Sequence, residues 1–428
     1  MPQSTSGFQS MTQTQPDWQA ESPDGWLMIT IDRLPAWMVA AWGATWVATP
    51  AITRLATAGL ICDRVLVRST EPVDTLTELA TGQLPLEPAS DSRGLGPISA
   101  AVGRGWRVTV VTDLPDQVRG ISGGETGHRL VAVTPPEAAT ATVPEDGSGC
   151  GRVFAAAESE LADADLLWCH LGRLGLAWDA PQACREAFFD EDDPPPGDSA
   201  VIPDFDVTAE TDPDRVAAVR QIFAGELAHL DDWLGRLVAA AAARWPRFGL
   251  LLMGVRGMPL GLHGRVGVTG PEPPPYAELT HVPAILVDPA GRQTAQRFGQ
   301  LVLPADLGVT VHDLIAGEST GRPPTQAESV ASGQSLAAVL AGDVEAWRSV
   351  GRDRVISQSR GGQAVAVAEW TLVRDAEGKD LLFRKPDDFF ELSDVADRSQ
   401  EVAAALASCL DSASSRAAQA GKSQLRSG

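Results

Sequence analysis

Cysteine is scarce in this chain. There are five in 428 residues, Cys62, Cys150, Cys169, Cys184 and Cys409. They are odd in number, widely and irregularly spaced, and form no Cys-x-x-Cys pair, which argues against both a disulfide framework and a zinc ribbon. Positive charge is also in short supply: 34 Lys and Arg stand against 56 Asp and Glu, a formal net charge of −22. Nucleic-acid phosphates and anionic membrane surfaces are repelled by such a chain on average, so neither is an expected partner. Apolar runs stay short of the ~20 residues that span a bilayer. The first 25 residues are polar and rich in Gln, Ser and Thr, with no basic segment and no apolar run suited to export. They read as a disordered leader on a cytoplasmic protein.

What is present suits a globular α/β protein. Hydrophobic residues make up 44% and charged residues 21%, and the length suffices for one large core with a smaller appended unit. Residues 26–31 are a continuous apolar run ending in Asp32, the pattern of a central parallel strand that delivers a side chain at its carboxyl end. Thr49 is then expected to cap a helix with Pro50 at its first position and Gly59 at its stop. Further buried strands are expected at 107–112, 166–171, 250–253 and 282–287, alternating with helices and loops, the arrangement of an open sheet covered on both faces. The clearest helix is 213–243, where Val219, Phe223, Leu227, Leu230, Leu234 and Leu237 recur at helical spacing.

Beyond Gly317 the sequence turns rich in Ser, Pro and Gln, and a short helix is expected at 336–347. Residues 364–368, 371–373 and 381–383 read as antiparallel strands of a C-terminal unit closed by a helix near 402–410. The expected organisation is a leader (1–25), a main α/β domain (26–320), a C-terminal subdomain (321–411) and a flexible tail (412–428). Asp190, Glu191, Asp192, Asp193 and Asp198 surround Pro194–Pro196 and read as a solvated loop, with a cation site as the alternative. His229, in the long helix, has no second His four residues away and reads as a packed side chain. The tryptophans at 37, 42 and 46 are expected in the core rather than on a contact surface.

Several segments, in chain order, resemble the type I sulfatases of the alkaline phosphatase superfamily. Asp32 and then Thr49-Pro50-Ala51-Ile52-Thr53-Arg54-Leu55-Ala56 are similar to that family's first strand and helix. Thr81-Gly82 resembles the end of its nucleophile helix, and 257–264 its Asp-His-Gly-x-x-x-Gly-x-His-Gly stretch. Residues 276–283 resemble the loop and strand that follow, and Pro304-Ala305-Asp306-Leu307-Gly308 a helix start with Asp306 as its cap. Trp370 and 382–398 are similar to the C-terminal strand and the Tyr-Asp-x-x-x-Asp-Pro-x-Glu region. The resemblance implies a large, mostly parallel central sheet flanked by helices, followed by a small antiparallel sheet and a helix.

In that family a Cys or Ser in a Cys-x-Pro-x-Arg motif becomes the formylglycine nucleophile, assisted by a divalent cation. Counting back ten residues from Gly82 places Pro72 at the nucleophile, Asp74 at the motif proline and Leu76 at its arginine. No Cys lies between Cys62 and Cys150, and no Arg or Lys between Ser69 and Pro85. Thr70 and Thr75 are the remaining hydroxyl candidates. Of the cation's ligands Asp32 persists, but its neighbour is Arg33, and Val255 and Arg256 stand where Asp and His would be. One carboxylate with two arginines is a poor site for a hard cation, which wants six or more oxygens. A fixed guanidinium from Arg33 or Arg256 would neutralise Asp32 instead.

His170, at the end of a strand, His263 in the retained Gly-x-His-Gly element, Arg256 and Arg265 are left as candidates to contact an anion. The reading is a sulfatase-like protein without catalysis, metal or cofactor, binding a sulfated or phosphorylated small molecule or a protein partner. The alternative is a Ca²⁺- or Mg²⁺-dependent sulfuric or phosphoric ester hydrolase with a rearranged site using Thr70 or Thr75.

Overall fold

The structure is a computed structural model and describes residues 23–84, 96–118, 127–134, 147–317, 333–345, 347 and 351–427, with side chains as far as 413. The expected leader, apart from its last three residues, and the Ser-, Pro- and Gln-rich stretch after Gly317 lie outside the described residues.

Ten strands belong to the main domain: β1 (Gly25–Ile31), β2 (Leu60–Leu66), β3 (Val108–Thr112), β4 (His128–Ala132), β5 (Leu166–Leu171), β6 (Phe205–Asp206), β7 (Phe248–Gly254), β8 (Arg265–Val266), β9 (His281–Val287) and β10 (Gln296–Val302). Eight of them form one sheet in the order β10-β2-β9-β7-β1-β5-β3-β4, and β6 pairs with β8 apart from it. Within the eight-stranded sheet only β9 runs against its neighbours, β7 and β2, and the other pairs are parallel. β1 is buried along its whole length between β5 and β7, which is why its sequence is apolar without alternation.

Alternation along β1 divides the core between two faces. Leu27, Ile29 and Ile31 pack with α1 (Pro50–Ala58), α4 (Gly149–Glu160) and α5 (Pro213–Arg244). Trp26 and Met28 point the other way, toward α2 (Pro72–Thr81), α3 (Pro97–Gly103) and α6 (Pro304–Ala316). The sheet is thus covered on both sides, and Asp32 emerges at the carboxyl edge of its centre.

Two helix starts differ from expectation. Thr49 precedes α1 with φ −127° and ψ 70°, off the extended geometry of a cap residue, and its hydroxyl makes no cap bond. Asp231 of α5 supplies the acceptor instead, taking the Ala51 and Ile52 N–H groups at 2.7 and 2.8 Å. At α6 the cap position is Leu303, and Asp306 lies three residues inside, reaching back to the Leu303 N–H at 2.7 Å. Asp306 also accepts from the Gln334 N–H at 2.7 Å and pairs with Arg352, tying the segment after α6 to its start.

The small sheet is antiparallel, β11 (Val355–Ser359), β12 (Gly362–Ala366), β13 (Trp370–Asp375) and β14 (Asp380–Arg384) in sequential order. Val365, Leu372 and Leu382 on one face pack against Leu406 and Leu410 of α7 (Gln400–Ser427). This helix continues past Ser412 to Ser427, where a frayed tail was expected; four Ala favour it among five Ser. Before the small sheet, a helical turn at Ala337–Leu340 occupies part of the expected 336–347 helix.

Trp42 is in the core, Trp37 sits edge-on to Phe390 at 6.0 Å, and Trp46 is 49% exposed beside Phe188. His229 is buried and meets the Ser148 hydroxyl at 2.7 Å. All five cysteines are free. Among the described residues no helix is long and apolar enough to cross a membrane.

Candidate functional site

The carboxyl edge of the sheet gathers charged side chains around Asp32. The Asp32 N–H continues the ladder to the Leu171 carbonyl at 2.9 Å, and the Val255 N–H bonds the Ile31 carbonyl at 2.9 Å. The ends of β1, β5 and β7 are thereby aligned, and the residues just beyond them converge.

Arg256, two residues after β7, grips Asp32 with two bonds: Nε to Oδ1 at 2.9 Å and Nη2 to Oδ2 at 3.2 Å. Its Nη1 donates to the Thr70 carbonyl at 2.7 Å, in the loop before α2. Asp32 is 2% exposed. Burial alone would raise its pKa, but Arg256, then Arg33 and the bonds from Arg256 outweigh burial and hold the carboxyl below its usual range.

Arg33 is 8% exposed and adopts φ 61°, a left-handed conformation that costs a residue with a Cβ. No hydrogen bond or ion pair reaches its guanidinium among the described residues, and its Nε is buried without a partner. Burial, and next the charge of Arg256, bring its pKa down to about 10, against the pull of Asp32, Glu272 and Glu71. The last two carboxylates are tied together by the turn between β11 and β12: Arg360 bonds Glu71 at 2.9 Å, and its backbone N–H bonds Glu272 at 3.1 Å. The small sheet therefore contributes to the rim.

His170, at the end of β5, is fully buried. Trp168 Nε1 donates to the Thr30 hydroxyl at 2.9 Å, leaving that hydroxyl to donate to His170 Nδ1 at 3.0 Å. The arrangement suits a neutral ring with its proton on Nε2. Burial pushes the His170 pKa down to about 4, despite the opposing charge of Asp32.

Sequence reasoning missed Asp113, just beyond β3. It takes the Gly172 N–H at 2.8 Å, and burial, reinforced by the charge of Asp32, raises its pKa to about 6. The signal available was its position, one residue past an apolar strand, the same position that singled out Asp32.

The remaining candidates are engaged elsewhere. His263 stacks on Tyr276 at 3.8 Å, with Nδ1 at 3.2 Å from Glu278 and Nε2 at 3.2 Å from the Glu391 carbonyl. Arg265 is held by Asp204 and Asp206. Neither has a hydrogen bond or ion pair to the Asp32 cluster. Pro72 is the first residue of α2. Thr70 is buried, and its backbone groups are bonded to Arg256 and Gln358. Thr75 is buried on α2, its hydroxyl without a partner.

This donor set does not fit a hard divalent cation. Both Asp32 oxygens already accept from a guanidinium, Asp113 spends an oxygen on the Gly172 N–H, and two arginines supply positive charge. Among the described residues no group of three or more His, Cys, Asp and Glu side chains is placed to hold a metal, the acidic 190–198 loop included.

No protein-family model matches the chain, and neither does the sequence of any curated protein. Solved structures do. The phosphonate monoester hydrolase of Agrobacterium radiobacter superposes with a TM-score of 0.64 at 16% identity, over 93% of this chain and 96% of its own. A 2-O GAG sulfatase matches with a TM-score of 0.65 at 18% identity, over 94% of each chain. The phosphonate monoester hydrolase of Silicibacter pomeroyi gives 0.63 at 16%, over 91% of this chain and 94% of its own.

The chain has the sulfatase fold. This sulfatase-like architecture accounts for both the eight-stranded sheet and the small antiparallel sheet. At such low identity the likeness concerns the sulfatase-like fold, and Asp32, Arg33 and Arg256 are read on their own geometry.

Proposed function

We propose that this chain is a sulfatase-like protein that binds an anionic ligand and does not hydrolyse esters. The observation that carries the reading is the two-pronged grip of Arg256 on Asp32. A guanidinium is always charged and matches a carboxylate with two parallel bonds. It therefore neutralises Asp32 permanently, where the resemblance to sulfatases implies a divalent cation. Pro72, at the position that the same resemblance gives to the nucleophile, has no atom with which to attack sulfur or phosphorus.

Arg33 supports the binding half of the proposal. It is a buried, charged group without an acceptor, so a sulfated or phosphorylated small molecule would supply the oxygens it lacks. A fold outlives its chemistry when its site residues change, and binding needs fewer of them than catalysis.

The test is turnover of p-nitrophenyl sulfate, p-nitrophenyl phosphate and bis-p-nitrophenyl phosphate, with and without Ca²⁺, Mg²⁺, Mn²⁺ or Zn²⁺. No hydrolysis above buffer is expected, whereas calorimetry with the same esters should detect binding that Arg33→Ala weakens at least tenfold. Metal-dependent turnover abolished by Thr70→Ala or Thr75→Ala would contradict the proposal. Heat from a protein partner with no ester binding would move the function away from small anions.

A further inference from the structure

A cavity of about 440 Å³ lies between the β10-β2-β9 edge of the large sheet and the small antiparallel sheet. Its size falls within the ~300–1,000 Å³ of small-molecule sites, which favour the junctions between structural units.

One wall is the face of the small sheet turned away from α7. Strand alternation sends Val365 and Leu372 into the α7 contact, while Ala364, Ala366 and Thr371 border the cavity. Ala366 and Thr371 are direct cross-strand partners and so share that face. Opposite them are Leu66 of β2 and Gly299 of β10, with Trp42 and Phe389 adding aromatic surface. Small side chains keep the gap open, and a Cβ placed on Gly299 meets no atom within 4 Å.

The charged side chains at the border are spent on the protein itself. Arg64 donates to the Val367 and Ala368 carbonyls at 2.7 and 2.8 Å. Lys385 is held by the Asp388 and Phe389 carbonyls and by Glu391, at 2.9, 3.0 and 3.0 Å. Glu391 also takes the Ala277 N–H at 2.7 Å, and Arg297 pairs with Asp63. His281 meets the Asp63 carbonyl at 2.7 Å, and the Ser357 hydroxyl donates to Val67 at 2.7 Å. Thr371 is different: it is 5% exposed, lines the cavity, and its hydroxyl has no partner among the described residues.

We infer that this cavity is a binding site for a small uncharged ring molecule carrying one hydrogen-bonding group. Aliphatic and aromatic walls take the ring, the Thr371 hydroxyl takes the polar group, and no unpaired charge is left to select an ion. The site is separate from the Asp32 cluster and does not depend on the function proposed for it.

The test uses the full chain with indole as probe, benzofuran as the analogue without an N–H, and tryptamine as the cationic analogue. Indole should raise the melting temperature and bind by calorimetry, with tryptamine at least tenfold weaker. Ala366→Phe and Gly299→Phe, which fill the gap from opposite walls, should each weaken indole at least tenfold. Thr371→Val should weaken indole severalfold and leave benzofuran unchanged. If Ala366→Phe fails to fold, Gly299→Phe carries the test alone. No indole binding up to its solubility, undiminished binding in the filled variants, or tryptamine binding as tightly as indole would each overturn the inference.

Discussion

Arg256 and Asp32 stand 224 residues apart in sequence, yet they share two hydrogen bonds at the carboxyl edge of the central sheet, at 2.9 and 3.2 Å. Parallel register between β1 and β7 brings them together, because Ile31 lies opposite Gly254 and each chain then continues by one or two residues into the same space. The third bond of Arg256, to the Thr70 carbonyl, anchors the loop before α2 to the same point.

Removing one member of this pair should cost more than removing both. Arg256→Ala leaves a buried carboxylate with only Arg33 nearby, a loss of about 3 kcal/mol, at the low end for a broken buried pair. Asp32→Asn combined with Arg256→Ala should recover part of it, with a coupling on the order of 1–3 kcal/mol. Urea denaturation of the four proteins measures the cycle.

The helix cap supplied from a distance makes a second prediction. Asp231→Ala leaves the Ala51 and Ile52 N–H groups without their acceptor and should destabilise by about 1–2 kcal/mol, the usual cost of a lost cap. Thr49→Ala should cost less than half of that, since the Thr49 hydroxyl caps nothing. Thermal melts of the two variants decide between them.

Acid should weaken the fold through the buried His170 well before it reaches Asp32. His170 has a folded pKa near 4 against 6.5 for the free side chain, because burial favours the neutral ring. Between those values the unfolded chain binds more protons, so stability falls as the pH drops from about 6.5 toward 4. Asp32 acts lower down: its depressed pKa contributes stability that is present above 3.8 and is lost as the pH falls through the folded value. Chemical denaturation from pH 8 to pH 4 should show a slope that His170→Gln reduces and Asp32→Asn leaves in place.

Glu78 has the opposite sign. Burial raises its pKa to about 7, despite Arg68 at 3.4 Å. The folded state holds its proton longer than the unfolded state does, so this group withdraws stability as the pH rises from about 4.5 to 7. Glu78→Gln should therefore gain on the wild type at pH 8 relative to pH 5, as read by the same denaturation series.

The strands that could be read from the sequence were the central ones. β1, β3, β5, β7 and β9 are mostly apolar because both their faces and both their edges are covered. β4 and β10 are the outer strands, and β2 sits next to β10, facing the small sheet. Their sequences, His-Arg-Leu-Val-Ala, Gln-Arg-Phe-Gly-Gln-Leu-Val and Leu-Ile-Cys-Asp-Arg-Val-Leu, carry charges that a flank facing solvent or the small sheet tolerates, so no apolar run marks them. The reversed direction of β9 left no trace in composition either.

At the site, Asp32 was legible because it follows an apolar strand, and the resemblance to sulfatases pointed to Arg33, His170 and Arg256. It could not choose between Arg33 and Arg256 as the partner of Asp32, since that depends on where two loops turn after β1 and β7. Nor could it separate His263 and Arg265 from the cluster, because their engagement depends on Glu278, Asp204 and Asp206, all distant in sequence or placed in loops. Asp231 was hidden for the same reason: a carboxylate on the polar side of a long helix looks solvated until the helix it caps is in place.

The most direct measurement is the melting temperature of the wild type and of Asp32→Ala with Ca²⁺ or Mg²⁺ at millimolar concentration, against a monovalent salt of equal ionic strength. With Arg256 holding both Asp32 oxygens, neither cation should shift either protein. A rise of several degrees in the wild type that vanishes in Asp32→Ala would mean that Asp32 ligates a divalent ion, and that Arg256 does not take its place.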